Sequence, residues 1–305
     1  MLNYGSALAQ TNDNGIAVDQ NKYMGRKMLS NLTEPTCPNT ARDLTLIHGN
    51  LYRHTSGSGL SLHSGLVLIN AEGALIIDPA MTCTATWLNQ EINRRFKVKV
   101  RYVVYTHAHA DHISGGEVFQ KDGALIVAND RAFEPILGER LPTALPDRVF
   151  DRDMKITLGG EDVLLHRVSS SHSNSMTMVL FPKYKALQCS DVCQNMTLPY
   201  NDFLDFYYDG WIETLDWVAT QDVDVIDVGH YELSTRQEQA ALRVYLTDLN
   251  RQILDLVRQG QSWDQLYRSI QATDEVKSWK GYAQMHILNI LGMHRWVSNH
   301  RRGAW

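Results

Sequence analysis

Hydrophobic and polar residues alternate, or form short apolar runs, through most of the chain after residue 43. The segment Cys83–Phe96 instead places Trp87, Leu88 and Ile92 on one face of a predicted helix. A turn sequence, Ala71-Glu72-Gly73, lies between two of the apolar runs before it and predicts a hairpin. The strands predicted in this region are Leu44–Ser56, Gly65–Asn70 and Ala74–Asp78.

Strands and helices then alternate along the chain. The predicted order is a strand at Val98–Thr106, a helix at Ile113–Gln120, a strand at Ala124–Asn129 and a helix at Ala132–Glu139. This order is typical of parallel strands that are covered by helices. A second set of strands is predicted at Lys155–Leu158, Val163–Ser169, Met176–Phe181, Ala186–Ser190 and Val223–Val228, with a helix at Trp211–Thr220. Two such halves predict an α/β fold in which two sheets pack face to face with helices outside.

The pattern divides the chain into three parts. Residues 1–43 show little periodicity and predict an extended arm with at most a short helix near Lys22–Asn31. Residues 44–234 form the main domain. Residues 235–305 predict a helical extension that serves packing, with Gly260 as a stop signal after its first helix. Its helices are predicted at Thr235–Gln259, Ser262–Gln271 and Val276–Asn299.

Composition limits the classes of partner. A chain of 305 residues can bury a sizeable core, and 44% hydrophobic with 21% charged residues is typical of a soluble globular protein. The formal net charge of -5 indicates neither nucleic acid nor an anionic membrane surface as a partner. No apolar stretch approaches the ~20 residues needed to span a bilayer. We therefore expect a small-molecule substrate, and a homo-oligomer stays open.

The compartment also stays open. Ala7-Leu8-Ala9 is similar to the small-residue end of a signal peptide, so both the cytoplasm and, with a trimmed leader, the periplasm or the exterior are compatible. The cysteines are too few and too scattered to predict a disulfide framework. They are Cys37, Cys83, Cys189 and Cys193.

A group of possible metal ligands follows the apolar strand Val98–Thr106. The six residues are His107-Ala-His109-Ala-Asp111-His112, and Gly115-Gly116 follow. Three imidazoles and a carboxylate would repel one another or stay unsatisfied if buried without a cation. The alternative is a polar surface loop that contains these histidines by chance. A metal site is favoured because the preceding strand is strongly apolar and Gly115-Gly116 follow directly.

Polar residues at other predicted strand ends can complete this site. Zinc usually takes four nitrogen, oxygen or sulfur ligands, and a catalytic zinc leaves one position for water. The candidate ligands outnumber the four that one zinc ion takes, so the sequence predicts two ions rather than one. The candidates are Asp78, His172, Asp191 and His230.

These motifs resemble the metallo-β-lactamase superfamily in order and spacing, from about Leu44 to His230. The resemblance implies an αββα sandwich with two zinc ions at the shared edge of the two sheets, to which the helices predicted after residue 235 add a C-terminal appendage. The implied ligands of the first zinc are His107, His109 and His172. Those of the second are Asp111, His112 and His230, with Asp191 as the bridge between the ions. Asp78 is implied to orient the ligand loop from behind.

Departures from the family pattern guide the choice of branch. Asp191 counts against lactam hydrolysis, because true β-lactamases generally lack this bridging carboxylate. The side chain of Cys189 is expected on the same face of the strand as that of Asp191, so Cys189 is a minor alternative ligand. Members that transfer electrons with two irons carry Glu where this chain has His109, so this difference disfavours iron redox chemistry. The chain resembles most the branch of zinc hydrolases associated with sulfur oxidation and quinoproteins.

The resemblance implies a dinuclear zinc hydrolase. A metal-bridging hydroxide would attack an ester, thioester, lactone or amide, with Asp111 as ligand and proton acceptor. His63 and Tyr231 are the candidate substrate contacts. The alternatives are β-lactam hydrolysis, an iron-dependent redox enzyme, and a metal-binding sensor on the same fold.

Overall fold

The structure is a computed structural model that describes residues 8–10, 15–19 and 40–300. Its described strands form two sheets. The strands of the first sheet are β1 (Leu8–Gln10), β2 (Ile16–Val18), β3 (Arg42–His48), β4 (Leu51–Ser56), β5 (His63–Asn70), β6 (Gly73–Ile77), β7 (Val100–Val104), β8 (Leu125–Asn129) and β9 (Arg148–Phe150). They lie in the order β1-β2-β9-β8-β7-β6-β5-β4-β3, and the central strands β6 to β9 are parallel.

The second sheet follows the first in the chain. Its strands lie in their sequence order: β10 (Asp153–Leu158), β11 (Glu161–Arg167), β12 (Thr177–Phe181), β13 (Ala186–Gln188) and β14 (Val225–Asp227). The described helices are α1 (Thr82–Phe96), α2 (Ala110–Ile113), α3 (Gly116–Lys121), α4 (Asp130–Gly138), α5 (Tyr208–Thr220), α6 (Arg236–Arg258), α7 (Trp263–Ser269), α8 (Asp274–Lys277) and α9 (Tyr282–His300). None of these is long and apolar enough to cross a membrane.

The alternation of side chains along the strands explains the layers. On β5, Leu66 and Leu68 belong to the core between the two sheets, whereas Val67 and Ile69 belong to the core under the outer helices. Successive side chains of a strand point to opposite faces, so a strand that is apolar at every position is buried on both faces. The helix side of this sheet is closed by residues such as Leu88 of α1. The fold is therefore the predicted αββα sandwich.

The C-terminal helices cover the outer face of the second sheet. One core cluster contains Leu187 of β13, Trp211 of α5, Leu246 of α6 and Met293 of α9. The capping box at Thr235 and Glu238 starts α6. The helices after residue 235 thus share a core with the second sheet.

Most predicted elements are confirmed, with shifted ends. The predicted strand Leu44–Ser56 is wrong as one strand, because the chain turns at Gly49, which has a φ of 58°, and forms the hairpin β3–β4. The sequence analysis missed β9, which is only three residues long. The predicted short helix near Lys22–Asn31 lies outside the described residues.

A buried carboxylate joins the two sheets. Asp227, at the end of β14, is fully buried and its Oδ2 accepts a hydrogen bond of 2.6 Å from Nε of Arg53 on β4. Its Oδ1 accepts from Ser64 Oγ of β5 and from Gln188 Nε2 of β13, both at 2.9 Å, and from the backbone N–H of Gly229. Donors from both sheets therefore compensate the burial of this charge.

Arg53→Met should destabilise the protein by about 3–5 kcal/mol, because it leaves the buried Asp227 charge without its cation. Denaturant unfolding of the chelator-treated protein measures the free energy change. The matched control is Arg94→Met, which removes an exposed arginine paired with Glu91 and should cost less than ~1 kcal/mol. Equal unfolding free energies for the two variants would contradict this account.

Candidate metal centre

Asp78 organises the loop that carries the predicted ligands. It follows β6 with a φ of 48°, and its backbone N–H donates to Val104 O at the end of β7. Its Oδ1 accepts from Thr106 N at 2.8 Å, and its Oδ2 accepts from Thr106 Oγ1 at 2.6 Å. The one hydrogen of the Thr106 hydroxyl is used in this hydrogen bond to Asp78, so Thr106 Oγ1 can only accept from Nδ1 of His107, 2.9 Å away. The Nε2 of His107 is left as a lone-pair donor.

Three other imidazoles are oriented in the same way by a hydrogen bond on the ring nitrogen that faces outward. Nδ1 of His112 lies 3.2 Å from Asp78 Oδ2, and Nδ1 of His230 lies 3.0 Å from the carbonyl oxygen of Leu62. Nε2 of His109 lies 2.7 Å from Asp205 Oδ2. Since each outer nitrogen donates a hydrogen bond to an oxygen, the inner nitrogen is the one that presents a lone pair when the ring is neutral.

The carboxylate of Asp191 lies where these lone pairs converge. Its Oδ1 is 3.2 Å from His112 Nε2, and its Oδ2 is 3.3 Å from His172 Nε2 and 3.4 Å from His230 Nε2. The residue lies in the turn Ser190–Val192 after β13, which is held by a hydrogen bond from Trp211 Nε1 to Val192 O. Asp191 can therefore reach both halves of the histidine cluster.

Besides a group formed by Asp78, His107 and His112, the candidate ligands form two groups of four, within each of which the ligand atoms lie within 4.8 Å of one another. The first group is His107, His109, His172 and Asp191, and the second is His63, Asp111, His112 and His230. The Nε2 of His107 is buried without any hydrogen-bond partner. A lone pair left unsatisfied in the interior costs free energy, which a bound cation would recover. The donor set thus fits a metal ion.

Gly229 keeps the space beside Asp191 open. It has a φ of 75°, and a Cβ atom added there would lie 2.8 Å from Asp191 Oδ1 and 3.1 Å from His112 Cε1. Both the backbone conformation and this close approach require glycine. The Gly-His pair singled out in the sequence therefore has a steric basis.

Charge within the cluster separates the titrations of its histidines. Burial lowers the pKa of His172 to about 4 and that of His107 well below its usual range. Burial also opposes the charged form of His112, but the carboxylates of Asp191 and Asp111 outweigh it and raise this pKa well above its usual range. The positive charge of His112 in turn helps to outweigh burial at Asp191 and holds the pKa of that carboxyl well below its usual range.

A cavity of about 540 Å³ opens over the cluster. Its wall is the aromatic loop, residues 199–207, which contributes Phe203, Leu204 and Phe206. The loop is held from behind by α9, because Asn289 Nδ2 donates to Pro199 O and Asn201 O, both at 2.8 Å.

Two further contacts join α9 to the aromatic loop. Arg295 Nη1 lies 2.7 Å from Asp202 Oδ2. Gly292 allows a close approach, since a Cβ atom there would lie 2.1 Å from Asp202 O.

The structure brings all the predicted ligands to one edge of the sandwich, with Asp78 behind them. Tyr231 also lines the cavity, and burial raises the pKa of its phenol to about 12. His63 lies beside Asp111 within the second ligand group and also lines the cavity.

One expectation about a ligand was wrong. Cys189 is buried and forms a disulfide with Cys193, so it offers no thiolate to a metal. Cys83 is also disulfide-bonded. The sequence analysis missed Asp205, because an aspartate in an aromatic loop carries no local signal of a histidine partner 96 positions away.

Comparison with known proteins identifies the family. A family model described as Metallo-beta-lactamase superfamily matches residues 59–230, more than half of the chain. The chain belongs to the metallo-β-lactamase superfamily. It is therefore a hydrolase. The metallo-beta-lactamase type 2 of Bacillus cereus is 23% identical over 201 residues, which cover 63% of this chain and 78% of that protein.

Solved structures of the superfamily share the fold. A metallo-beta-lactamase from Pontibacter korlensis has a TM-score of 0.61 and 21% identity, covering 68% of this chain and 99% of that one. A metallo-beta-lactamase from Erythrobacter litoralis has a TM-score of 0.60 and 14% identity, over 68% of this chain and 96% of that one. A double mutant of the sec-alkyl sulfatase PisA1 has a TM-score of 0.69 and 16% identity, covering 84% of this chain and 50% of that longer one.

Asp205→Asn should weaken metal binding to this member of the metallo-β-lactamase superfamily by about 10-fold, because the loss of a ligand's outer hydrogen-bond partner typically costs 10–100-fold. Zinc affinity measured by competition with a chromophoric chelator tests the change. Asp209→Asn, an exposed carboxylate just after the aromatic loop, is the matched control. The assignment of Asp205 fails if both variants bind zinc as tightly as the native chain.

In the apoprotein, the imidazole of His112 should remain charged above pH 6.5, whereas that of His172 should stay neutral down to about pH 4. The raised pKa of His112 means that a metal must displace its proton at neutral pH. Nitrogen-15 NMR of labelled histidine measures both titrations, with His112→Gln and His172→Gln for assignment. Two ordinary titrations near pH 6.5 would refute the separation.

Proposed function

We propose that this chain is a dinuclear zinc hydrolase that cleaves a neutral ester, thioester, lactone or amide. The observation that carries the proposal is the position of Asp191 at the base of one cavity, because it belongs to the first group of candidate ligands and also lies 3.2 Å from His112 and 3.4 Å from His230 of the second. One group would hold each ion. The nitrogen-rich donor set, with carboxylates and no free thiol, supports zinc over magnesium or calcium.

Bound zinc would lower the pKa of a coordinated water to about 7 and so supply a nucleophile at neutral pH. The side chains around the ions would position this water and accept its proton. Asp111 is the more exposed of the two carboxylates in the cluster, at 43% against 11% for Asp191, and it faces the cavity. Asp111 is therefore the residue that can accept the proton of the attacking water.

The charge of the cavity supports a neutral substrate. None of the described residues that line it is lysine or arginine. The nearby guanidinium of Arg53 is buried and engaged by Asp227 and Ser64. An anionic group on the substrate would thus meet no lysine or arginine among these residues, while Asp111 and Asp205 line the same space. The apolar wall of Phe203, Leu204 and Phe206 suits a hydrocarbon group.

Relatives point to a second candidate, the hydrolysis of an anionic substrate. The Bacillus cereus relative is a metallo-beta-lactamase, and β-lactam antibiotics carry a carboxylate. A structural relative is a sec-alkyl sulfatase, whose substrates are sulfate esters. Both classes would rely on the metal ions alone for charge recognition, so the cavity supports them less.

We expect purified protein to contain about two zinc ions per chain and to hydrolyse a neutral lactone, thioester or aryl ester. Elemental analysis gives the metal content, and a panel that adds a cephalosporin and a sec-alkyl sulfate tests the substrate class. A chelator should abolish turnover and zinc should restore it. His107→Ala should reduce turnover at least about 100-fold, since changes behind the ligands alone typically cost 10–100-fold.

The matched control is His48→Ala, which removes an exposed imidazole on the first sheet. It should retain full activity. Turnover of the cephalosporin or the sulfate, without turnover of any neutral substrate, would contradict the proposed neutral substrate and favour an anionic one. Bound iron, or bound metal without turnover of any substrate in the panel, would contradict the proposed zinc chemistry.

A further inference from the structure

The backbone places His63 beside the second group of ligands. His63 begins β5 and forms an isolated β-bridge with His230. The next residue, Ser64, donates its N–H to the carbonyl of Gly229 at 2.6 Å. Because both histidines are fixed by this pairing, the position of His63 relative to His230 is set by the fold.

The side chain of His63 faces the cluster. Its ring centroid lies 4.5 Å from that of His230 and 6.1 Å from that of His112. Its Nδ1 lies 3.8 Å from Asp111 Oδ2, which is too far for a hydrogen bond. This Nδ1 is buried and has no hydrogen-bond partner. Nε2 of His107 in the first group is likewise buried without a hydrogen-bond partner.

An unpaired nitrogen at this place needs a partner. A substrate in the cavity is one candidate, but the ligand atom of His63 lies within 4.8 Å of those of Asp111, His112 and His230. Four donors that converge so closely have room for a cation between them. The same convergence, without a cation, leaves the imidazole buried at a cost.

We propose that His63 is a direct ligand of the second metal, as a third imidazole beside His112 and His230. This inference rests on the proposed two-metal site. With Asp111, the second subsite then has four protein donors of its own in addition to the shared Asp191. Zinc prefers four ligands and can expand to five. An extra imidazole therefore tightens the second subsite and leaves it fewer positions for water than the first.

The extra nitrogen also changes metal preference. Imidazole suits zinc, copper, nickel and iron, whereas magnesium and manganese are better served by carboxylate and water. His63 therefore biases the second subsite toward the nitrogen-preferring metals. The candidate substrate contact of the sequence analysis becomes a ligand in this assignment, and Tyr231 stays at the cavity wall.

Cobalt titration of the full-length protein tests the proposal, because each Co²⁺ ion reports its coordination through its visible absorption. The variants are His63→Ala and His63→Phe, of which the second keeps a ring against His230 without a lone pair. Both should bind the first cobalt as the native chain does and the second at least about 100-fold more weakly, because the loss of a residue behind a ligand alone typically costs 10–100-fold. The absorption of the second equivalent should change in shape, and that of the first should not.

The controls separate this proposal from the two-metal hydrolase itself. His48→Ala and His48→Phe make the same changes at an exposed site and should leave both affinities unchanged. Native binding of two cobalt ions with unchanged affinity and absorption in both His63 variants overturns the His63 assignment and leaves the proposed function intact. If the native chain binds fewer than two ions, both proposals fall. Thermal unfolding of each apo variant checks that the fold is retained.

Discussion

The constraint on which the centre depends is the convergence of imidazole lone pairs and carboxylates on one sheet edge. In each of four histidines, the outer ring nitrogen forms a hydrogen bond with an oxygen. This bond orients the ring so that its inner nitrogen is directed toward the other rings of the cluster. Such an arrangement is unfavourable without a cation, because neither solvent nor protein satisfies a buried atom such as His107 Nε2. The fold thus builds a site whose free energy depends on what occupies it.

Two buried carboxylates let the sandwich hold this arrangement. Asp78 fixes the end of the first sheet through Thr106 and His112. Asp227 joins the sheets through Arg53 and Gln188, two residues before the glycine that precedes His230. Neither faces the cavity, and each is surrounded by donors. A buried charge that is fully hydrogen-bonded favours one arrangement over its alternatives, because any shift leaves it unsatisfied. The hydrogen bonds of Asp78 and Asp227 therefore hold His112 and the segment before His230 in place.

The sequence predicts the layers and the ligand loop well, for local reasons. Strands that are buried on both faces are apolar at every position. Four of the candidate ligands lie within the six residues from His107 to His112. The remaining functional contacts are not local. Asp205 meets His109, and Arg53 meets Asp227, only because the sheets and the aromatic loop have packed. The turn at Gly49 was missed although His48-Gly49-Asn50 interrupts the apolar pattern and Gly-Asn is a local hairpin signal. Periodicity reports the burial of a face and says little about which distant residue lies opposite.

The matched family segment, 59–230, contains the candidate ligands but ends before the helices that hold the cavity wall. Helix α9 supports the aromatic loop through Asn289 and Arg295, and that loop carries Asp205 onto His109. The C-terminal helices are therefore connected to the metal centre by a short series of hydrogen bonds, although the sequence indicated only packing. The segment that matches the family model carries the candidate ligands, while α9, outside that segment, supports the wall of the cavity above them. The selectivity of this chain is accordingly to be sought in the contacts between α9 and the aromatic loop.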